Sequence, residues 1–206
     1  MWFCSVRVGN YRDVDIYNAT LVDGQWTDVK NAGTQLNVDY AIGEFTFSPD
    51  GAGLYYGKDG AIWALDRSGS GWTNPHPIPS LSVASGENQP FITPNGTELW
   101  FTGYSLRGEP GPACFRAVWN GTGWGTPVEI VSSFAGEPTL DAQGNVYFVH
   151  HFFTANGTMI EADIYVAYRK GVSVTASAFP VPPELGALLG VAGPLLAAAA
   201  PVRKLL

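Results

Sequence analysis

One short segment of this chain occurs three times, and every copy places a cluster of turn-forming residues between two apolar runs. The copies cover residues 47–57, 92–102 and 140–149. Their glycines stand at positions 51, 96 and 144, so the period is 45 and then 48 residues. A repeat of this length indicates a chain built from several copies of one supersecondary unit.

The local chemistry of the segment predicts a β-hairpin. In the first copy Ser48-Pro49-Asp50-Gly51 precedes Leu54-Tyr55-Tyr56, and in the second Thr93-Pro94-Asn95-Gly96 precedes Leu99-Trp100-Phe101. Glycine and asparagine allow the positive φ that a tight turn needs, and Asp or Asn can accept a hydrogen bond from the turn's own backbone. The aromatic run beyond the turn is typical of a packed strand.

Two further strands follow each hairpin. The third strands share an apolar run and are expected at Asp15–Ala19, Ala61–Leu65, Cys114–Val118 and Asp163–Ala167. A turn containing glycine and tryptophan then leads to a fourth strand, at Trp26, Trp72 and Trp124. The last repeat has Gly171-Val172-Ser173 at this point, without the tryptophan. Asp15 and Asp163 are expected to accept hydrogen bonds in turns or between repeats.

These units predict an all-β fold: a β-propeller segment of about four four-stranded blades, one per repeat. The blades are expected at residues 1–40, 41–85, 86–134 and 135–178. The opening residues Met1–Ser5 match Leu99–Gly103, so the first blade lacks its inner strand. Since propellers normally close on themselves, we also expect either that the reading frame begins upstream of Met1 or that the chain forms an incomplete arc with exposed edges.

The repeat resembles the WD40-like propeller repeat of the TolB type. The resemblance depends on Ser48-Pro49-Asp50-Gly51 followed by Leu54-Tyr55-Tyr56, and on Asp163-Ile164-Tyr165 closing a unit. It covers residues 1–178, although Asn95 replaces the turn aspartate in the second copy and the third keeps only its glycine and aromatics. The resemblance implies the fold alone, because such repeats occur in binding scaffolds, peptidase gates and carbohydrate-active propellers.

Charge and cysteine content exclude several classes of function. The formal net charge is −7, and the eleven Lys and Arg residues form no run in the sequence, which argues against nucleic-acid binding. Cys4 and Cys114 fall in different repeats without metal-ligand spacing, so we expect two buried thiols, no metal site and no cofactor. The adjacent His150 and His151 form too small a set to predict a metal centre.

The C-terminal part of the chain has a different composition. Residues 179–184 form a proline-rich spacer, and residues 185–202 form an uncharged apolar run that ends at Arg203-Lys204. As a helix this run would reach about 27 Å, close to the thickness of a bilayer core. It resembles the sorting tails of exported prokaryotic proteins, although the junction reads Pro183-Glu184-Leu185. Residues 185–206 are therefore predicted to be a transmembrane or sorting tail, with an amphipathic appendage or a packed helix as alternatives.

That tail would place the propeller outside the cytoplasm, at the cell surface or in the periplasm. Four Asn-x-Thr sequons fit an exported protein as N-glycosylation sites; they begin at Asn18, Asn95, Asn120 and Asn156. Three of them contain Asn-Gly, which is also the preferred chemistry of a tight hairpin, so a purely structural role remains open.

One polar residue recurs just before the first strand of three repeats. These residues are Glu44, Gln89 and Glu137, each four positions ahead of the corresponding turn residue. In a propeller the first strand lines the central channel, so they are expected to lie together at the channel mouth. Hydrogen bonding between blades, a ligand or ion site, and acid–base catalysis are the three interpretations.

No independent catalytic motif accompanies this set of residues. The sequence contains no G-x-S-x-G elbow, no HExxH and no phosphate-binding loop. We therefore expect a non-catalytic, exported binding or scaffolding module for a protein or a glycan. The alternatives are a fragment of a propeller glycoside hydrolase or lyase that uses the carboxylates at the channel mouth, and a structural component of the cell surface.

Overall fold

The computed structural model describes residues 1–37, 42, 44–83, 86–170 and 200–201. Within these residues the chain is mostly β, in four antiparallel sheets that follow one another along the sequence. The first sheet consists of β1 (Trp2–Ser5), β2 (Asp15–Val22) and β3 (Gln25–Asn31). The second consists of β4 (Phe45–Phe47), β5 (Gly53–Lys58), β6 (Ala61–Ser68) and β7 (Gly71–Pro77).

The third and fourth sheets repeat this order. The third consists of β8 (Asn88–Ile92), β9 (Glu98–Tyr104), β10 (Pro112–Val118) and β11 (Val128–Val131). The fourth consists of β12 (Ala135–Leu140), β13 (Val146–Phe153), β14 (Met159–Ala167) and β15 (Ala200–Pro201). A short helix, α1 (Thr34–Asn37), and a 3₁₀ turn at Pro79–Leu81 lie in the connections between sheets.

The predicted hairpins are present in the same form in sheets two to four. In each hairpin the turn glycine donates its N–H to the carbonyl three residues earlier: Gly51 to Ser48 at 2.8 Å, Gly96 to Thr93 at 2.8 Å, and Gly144 to Asp141 at 3.0 Å. All three glycines have φ between 69° and 80°. A residue with a Cβ pays a steric cost in this left-handed conformation, which is why glycine stands there.

Apolar side chains fill the layers between consecutive sheets, and there are three such layers among the described residues. One contains Ile16 of the first sheet with Leu54 and Tyr56 of the second. The other two join sheets two and three, and sheets three and four. Antiparallel sheets that pack face to face in chain order form a propeller-like arrangement, so the prediction of an all-β, propeller-like fold is confirmed at this level.

The expected alignment of one third strand is wrong by one residue. Pairing with the preceding strand places Cys114 opposite Thr102 and Ile164 opposite Val149, so Cys114 corresponds to Ile164 and not to Asp163. The residue that corresponds to Asp163 is therefore Ala113. Residues 113–115 of β10 are all buried, so this strand lacks the alternation of apolar and polar residues that would have fixed its register.

The outermost position of the fourth sheet is held by β15. Its residues pair with β14 through Tyr165 with Pro201 and Val166 with Ala200. The strand expected at residues 171–173 lies outside the described residues, and so do residues 185–199 of the expected apolar helix. Residues 200–201 of that run are in the strand β15 and not in a helix. Among the described residues, no helix has the length and apolar character required to cross a bilayer.

Candidate functional site

The first strands of sheets two, three and four are β4, β8 and β12, and all three begin at the same end of their sheets. Neighbouring strands are antiparallel, so the first residue of β4, β8 or β12 is level with the last residues of the next strand. The loops that follow those second strands, at residues 59–60, 105–111 and 154–158, therefore lie at the same end. We call this end the site face, and it carries Glu44, Gln89 and Glu137.

The three predicted site residues are close neighbours. The Gln89 side-chain amide donates a hydrogen bond to Glu44 Oε1 at 3.2 Å. The backbone next to Glu137 also approaches Gln89, since a Cβ added at Gly136 would lie 3.6 Å from Gln89 Oε1. Residues separated by 45 and 48 positions in the sequence thus form one polar cluster across three successive sheets.

Two of the three residues stand on β-bulges. Strand pairing shifts by one residue between Asn88 and Phe91 and again between Gly136 and Thr139. The bulged residues have almost the same conformation, with φ of 55° at Gln89 and 56° at Glu137. Each is followed by a proline, which cannot donate a hydrogen bond to the neighbouring strand. The Glu137 N–H donates instead to Thr102 Oγ1 at 2.9 Å.

These bulges are energetically unfavourable on their own. A left-handed backbone at a residue other than glycine costs on the order of 1–3 kcal/mol and persists only where the surroundings impose it. Bulges are also enriched beside binding and active sites, because they change the direction of a side chain. The two bulges occur at the same repeat position in sheets three and four, and each places a polar side chain at the site face.

The surroundings of Glu44 disfavour the ionised form of its carboxyl group. Partial burial raises its pKa above the ordinary value, and the negative charge of Glu137 raises it further. The hydrogen bond from Gln89 acts in the opposite direction because it stabilises the charged form. A ligand that brings hydrogen-bond donors or positive charge to this cluster would stabilise the ionised carboxylate of Glu44.

Both cysteines lie behind the cluster. The Cys4 thiol donates to the Ile42 carbonyl at 3.2 Å, and burial together with the charge of Glu44 raises its pKa to about 11. Burial and then the charge of Glu137 also raise the pKa of Cys114, whose side chain is completely covered. Both thiols are therefore protonated at neutral pH, and they contribute packing rather than a nucleophile.

A second carboxylate, missed in the sequence, organises the loop at residues 105–111. Glu129 is buried and accepts hydrogen bonds from Ser105 Oγ, the Leu106 N–H and Ser132 Oγ at 2.6–2.9 Å. Burial alone would raise the pKa of Glu129, but these hydrogen bonds and the charge of Arg107 outweigh it and lower the pKa. The loop is thus held at the site face by its own hydrogen bonds.

Next to the cluster is a small open cavity of about 190 Å³. It lies where the β5–β6 turn meets the segment that leads into β8, and it is lined by Gly57–Gly60 and Gly86–Asn88. One wall is the buried carboxylate of Glu87, which accepts a hydrogen bond from the Val83 N–H at 2.8 Å. At 54% exposure, Tyr104 stands beside Gly86 and adds an accessible aromatic ring.

The histidine pair is divided between two environments. The His150 ring packs against Phe152 and Tyr165, with centroids 4.6 and 5.6 Å away. Burial and then the neighbouring His151 lower the pKa of His150. The Nδ1 atom of His151 lies 3.3 Å from the Phe134 carbonyl. Within the described ranges, no group of three or more His, Cys, Asp or Glu side chains could hold a metal ion.

Two sequon asparagines are engaged in turns. The Oδ1 atoms of Asn95 and Asn120 accept hydrogen bonds from the N–H and the hydroxyl of the threonine two residues later, at 2.9–3.1 Å. Asn156 lies in the exposed loop before β14, while Asn18 is half-buried within β2. Asp15 is fully buried and accepts from the Tyr11 and Arg12 N–H groups, as expected of a turn acceptor.

No protein-family model matches this chain, and no curated protein matches it. Among solved structures it is similar to hydrazine synthase of Kuenenia stuttgartiensis, with 13% identity and a TM-score of 0.45, over 76% of this chain and 45% of that one. It is also similar to the tricorn protease, with 12% identity and a TM-score of 0.41, over 93% of this chain and 20% of that one. The chain spans less than half the length of either protein, so its function has to be inferred from its own residues.

Proposed function

We propose that this chain is a non-catalytic binding module of the TolB type of WD40-like propeller, and that it takes a glycan or a protein segment at the site face. The observation that carries the proposal is the convergence of Glu44, Gln89 and Glu137 from three successive sheets. Two carboxylates and an amide present mostly acceptor oxygens. Such a surface suits sugar hydroxyl groups or a lysine or arginine side chain.

Three features support binding over a purely structural role. Glu137 is exposed, and Glu44 keeps exposed surface although its neighbours partly cover it, so both carboxylates are accessible to a partner. The bulges at Gln89 and Glu137 store strain at this position, which a structural hydrogen bond between strands does not require. The ring of Tyr104 and the loop held by Glu129 extend the surface beyond the cluster.

The test is a binding screen with a matched control. The wild-type chain and a Glu44→Gln, Glu137→Gln double variant would be applied to a glycan array and to a library of basic peptides. We expect the double variant to bind its best ligand about tenfold to several hundredfold more weakly, because charge-assisted hydrogen bonds are lost. Asp23→Asn is the control, since Asp23 is exposed in the β2–β3 turn at the opposite end. A double variant that binds as tightly as the wild type would rule out the cluster as the site.

A second candidate function is a glycoside hydrolase or lyase. It is favoured by the raised pKa of Glu44 beside the charge of Glu137, because a protonated and an ionised carboxylate are the pair that such enzymes use. Any glycan bound on the array would be incubated with the wild type and with Glu44→Gln, and its products measured. Hydrolysis that disappears in Glu44→Gln while binding persists would identify an enzyme, whereas an intact glycan supports the binding module.

We further propose that the module is exported and attached to a membrane through residues 185–202, and that residues 200–201 leave the edge of β14 when this run inserts. The support is the uncharged run of 18 residues with Arg203-Lys204 at its end, together with the four sequons. Expression of the chain behind a bacterial export signal, with and without residues 185–206, tests the proposal. The full chain should sediment with membranes and resist extraction by salt, and the shortened chain should not. Equal behaviour of the two would contradict anchoring.

A further inference from the structure

The four sheets differ in how well one repeated position is covered. On the third strands this position is occupied by Ile16, Ile62, Cys114 and Ile164, as the pairing with the second strands shows. The first three side chains are 0%, 1% and 0% exposed, and each packs in the layer shared with the following sheet. Ile164 is 52% exposed, because no described sheet follows the fourth.

The opposite surface of the first sheet is covered at its centre but open toward its outer strand. Tyr17, which stands at the repeat position of Phe115, is 7% exposed and lies under the Arg7 guanidinium, 5.1 Å from the ring centroid. Trp26, Trp72 and Trp124 occupy one repeat position, level with Leu21, Arg67 and Trp119 on the neighbouring strands. Trp124 is 8% exposed and meets Tyr55 of the preceding sheet edge to face, with centroids 6.3 Å apart. Trp26 and its cross-strand neighbour Leu21 are 50% and 55% exposed, because no described sheet precedes the first.

The two open surfaces are the two halves of one junction. Within the chain, the surface that carries Ile62 packs on the surface of the next sheet that carries Phe101 and Phe115. The fourth sheet offers the first kind of surface. The first sheet offers the second kind, with Phe3 and Tyr17 at the positions of Phe101 and Phe115 and with Arg7 over both rings. A second copy of this chain therefore presents the chemistry that the three internal junctions already use.

We propose that two copies of this chain associate through these surfaces, with the fourth sheet of each copy packed on the first sheet of the other. Two such junctions related by a two-fold axis close a ring of eight sheets, within the four to eight blades that propellers contain. The arrangement covers Ile164, Leu21 and Trp26, and it continues the packing of the internal layers. It is independent of the ligand proposed for the site face.

Sedimentation of the 206-residue chain over a range of concentrations, in one mild detergent throughout, tests the proposal. The wild type should sediment as a dimer. Ile164→Asp and Trp26→Lys should each weaken dimerisation by roughly 100-fold or more, because an unpaired charge in an apolar junction is strongly disfavoured. Val128→Asp is the control, since Val128 is similarly exposed but lies on β11, away from both surfaces. Circular dichroism of every variant at low concentration establishes that it is folded.

Mixing the two variants sharpens the test. A pair of Ile164→Asp and Trp26→Lys chains has one junction with both native side chains and one in which Asp faces Lys, so the mixture should dimerise although neither variant does so alone. A monomeric wild type at all concentrations would overturn the proposal. A dimer that survives both substitutions, or one disrupted equally by Val128→Asp, would place the interface elsewhere. Growth into species larger than a dimer would rule out the closed ring.

Discussion

The third sheet and the first sheet are made from the same repeat, yet their side chains are covered very differently. The third sheet lies between two apolar layers, and Phe101, Cys114 and Phe115 are completely buried. The first sheet contributes to one layer only, and much of β3 is exposed. Apart from Tyr17, which Arg7 covers, the burial of these side chains therefore follows from the presence of a neighbouring sheet, and matched substitutions can measure this difference.

The tryptophans of the repeat should show the largest contrast. Trp124→Ala is expected to lower the free energy of unfolding by about 3–5 kcal/mol, because it removes a buried aromatic ring and leaves a cavity. Trp26→Ala at the same repeat position should cost less than about 1 kcal/mol, since half of Trp26 is already in water. Urea unfolding at a protein concentration that keeps the chain monomeric measures both. Equal costs would mean that the two tryptophans are covered alike.

The isoleucines give a second and somewhat smaller contrast. Ile62→Ala should cost about 2–5 kcal/mol, because Ile62 packs in the layer between sheets two and three. Ile164→Ala, at the corresponding position of the fourth sheet, should change stability by about 1 kcal/mol or less when measured at low concentration. A cost that increases with protein concentration at Ile164 alone would connect this surface to dimerisation. A large cost at low concentration would show that the chain itself covers Ile164.

The repeat made most of the fold predictable from the sequence. Turn chemistry is local, so Gly51, Gly96 and Gly144 fixed three hairpins without any knowledge of the neighbouring sheets. The register of β10 was not predictable in the same way. Its residues are buried on both faces, and a strand of that kind carries no alternation of polar and apolar residues.

The candidate site was predicted as a set of residues but not as a geometry. Equal spacing from the turns identified Glu44, Gln89 and Glu137, since the same position in successive repeats lies at the same end of each sheet. The bulges at Gln89 and Glu137 could have been inferred from the prolines that follow, because a strand tolerates proline at a bulge. Glu129 carried no signal, because its hydrogen bonds join residues 3 to 24 positions away.

Substitution of the turn glycines should lower the free energy of unfolding by the same amount in different sheets, whereas substitution of the tryptophans should not. Gly51→Ala and Gly96→Ala are each expected to cost about 1–2 kcal/mol, because both glycines have positive φ. A Cβ meets no atom within 4 Å at Gly51 and only the Pro49 ring at 3.5 Å from Gly96, so backbone strain is the main cost at both. Asparagine, which adopts this conformation more readily, should cost less at either position. Clearly unequal costs for alanine would mean that the hairpins are not equivalent modules.

The smallest expected effect concerns the pH dependence contributed by Glu44. Because partial burial and the charge of Glu137 raise its pKa in the folded chain, ionisation of Glu44 opposes folding. The penalty is absent at pH well below the ordinary value of 4.5 and is complete once the pH exceeds the raised pKa. Glu44→Gln should therefore raise Tm slightly at pH 7 relative to the wild type, and the gain should vanish near pH 3. The change should stay below about 2–4 °C, which corresponds to about 1 kcal/mol in a chain of this size, because solvent screens the charge.

In Glu137→Gln the titration of Glu44, followed by carboxyl NMR shifts, should move toward its ordinary pKa. If it does not move, the two carboxylates are not neighbours, and the cluster would reduce to the contact between Glu44 and Gln89.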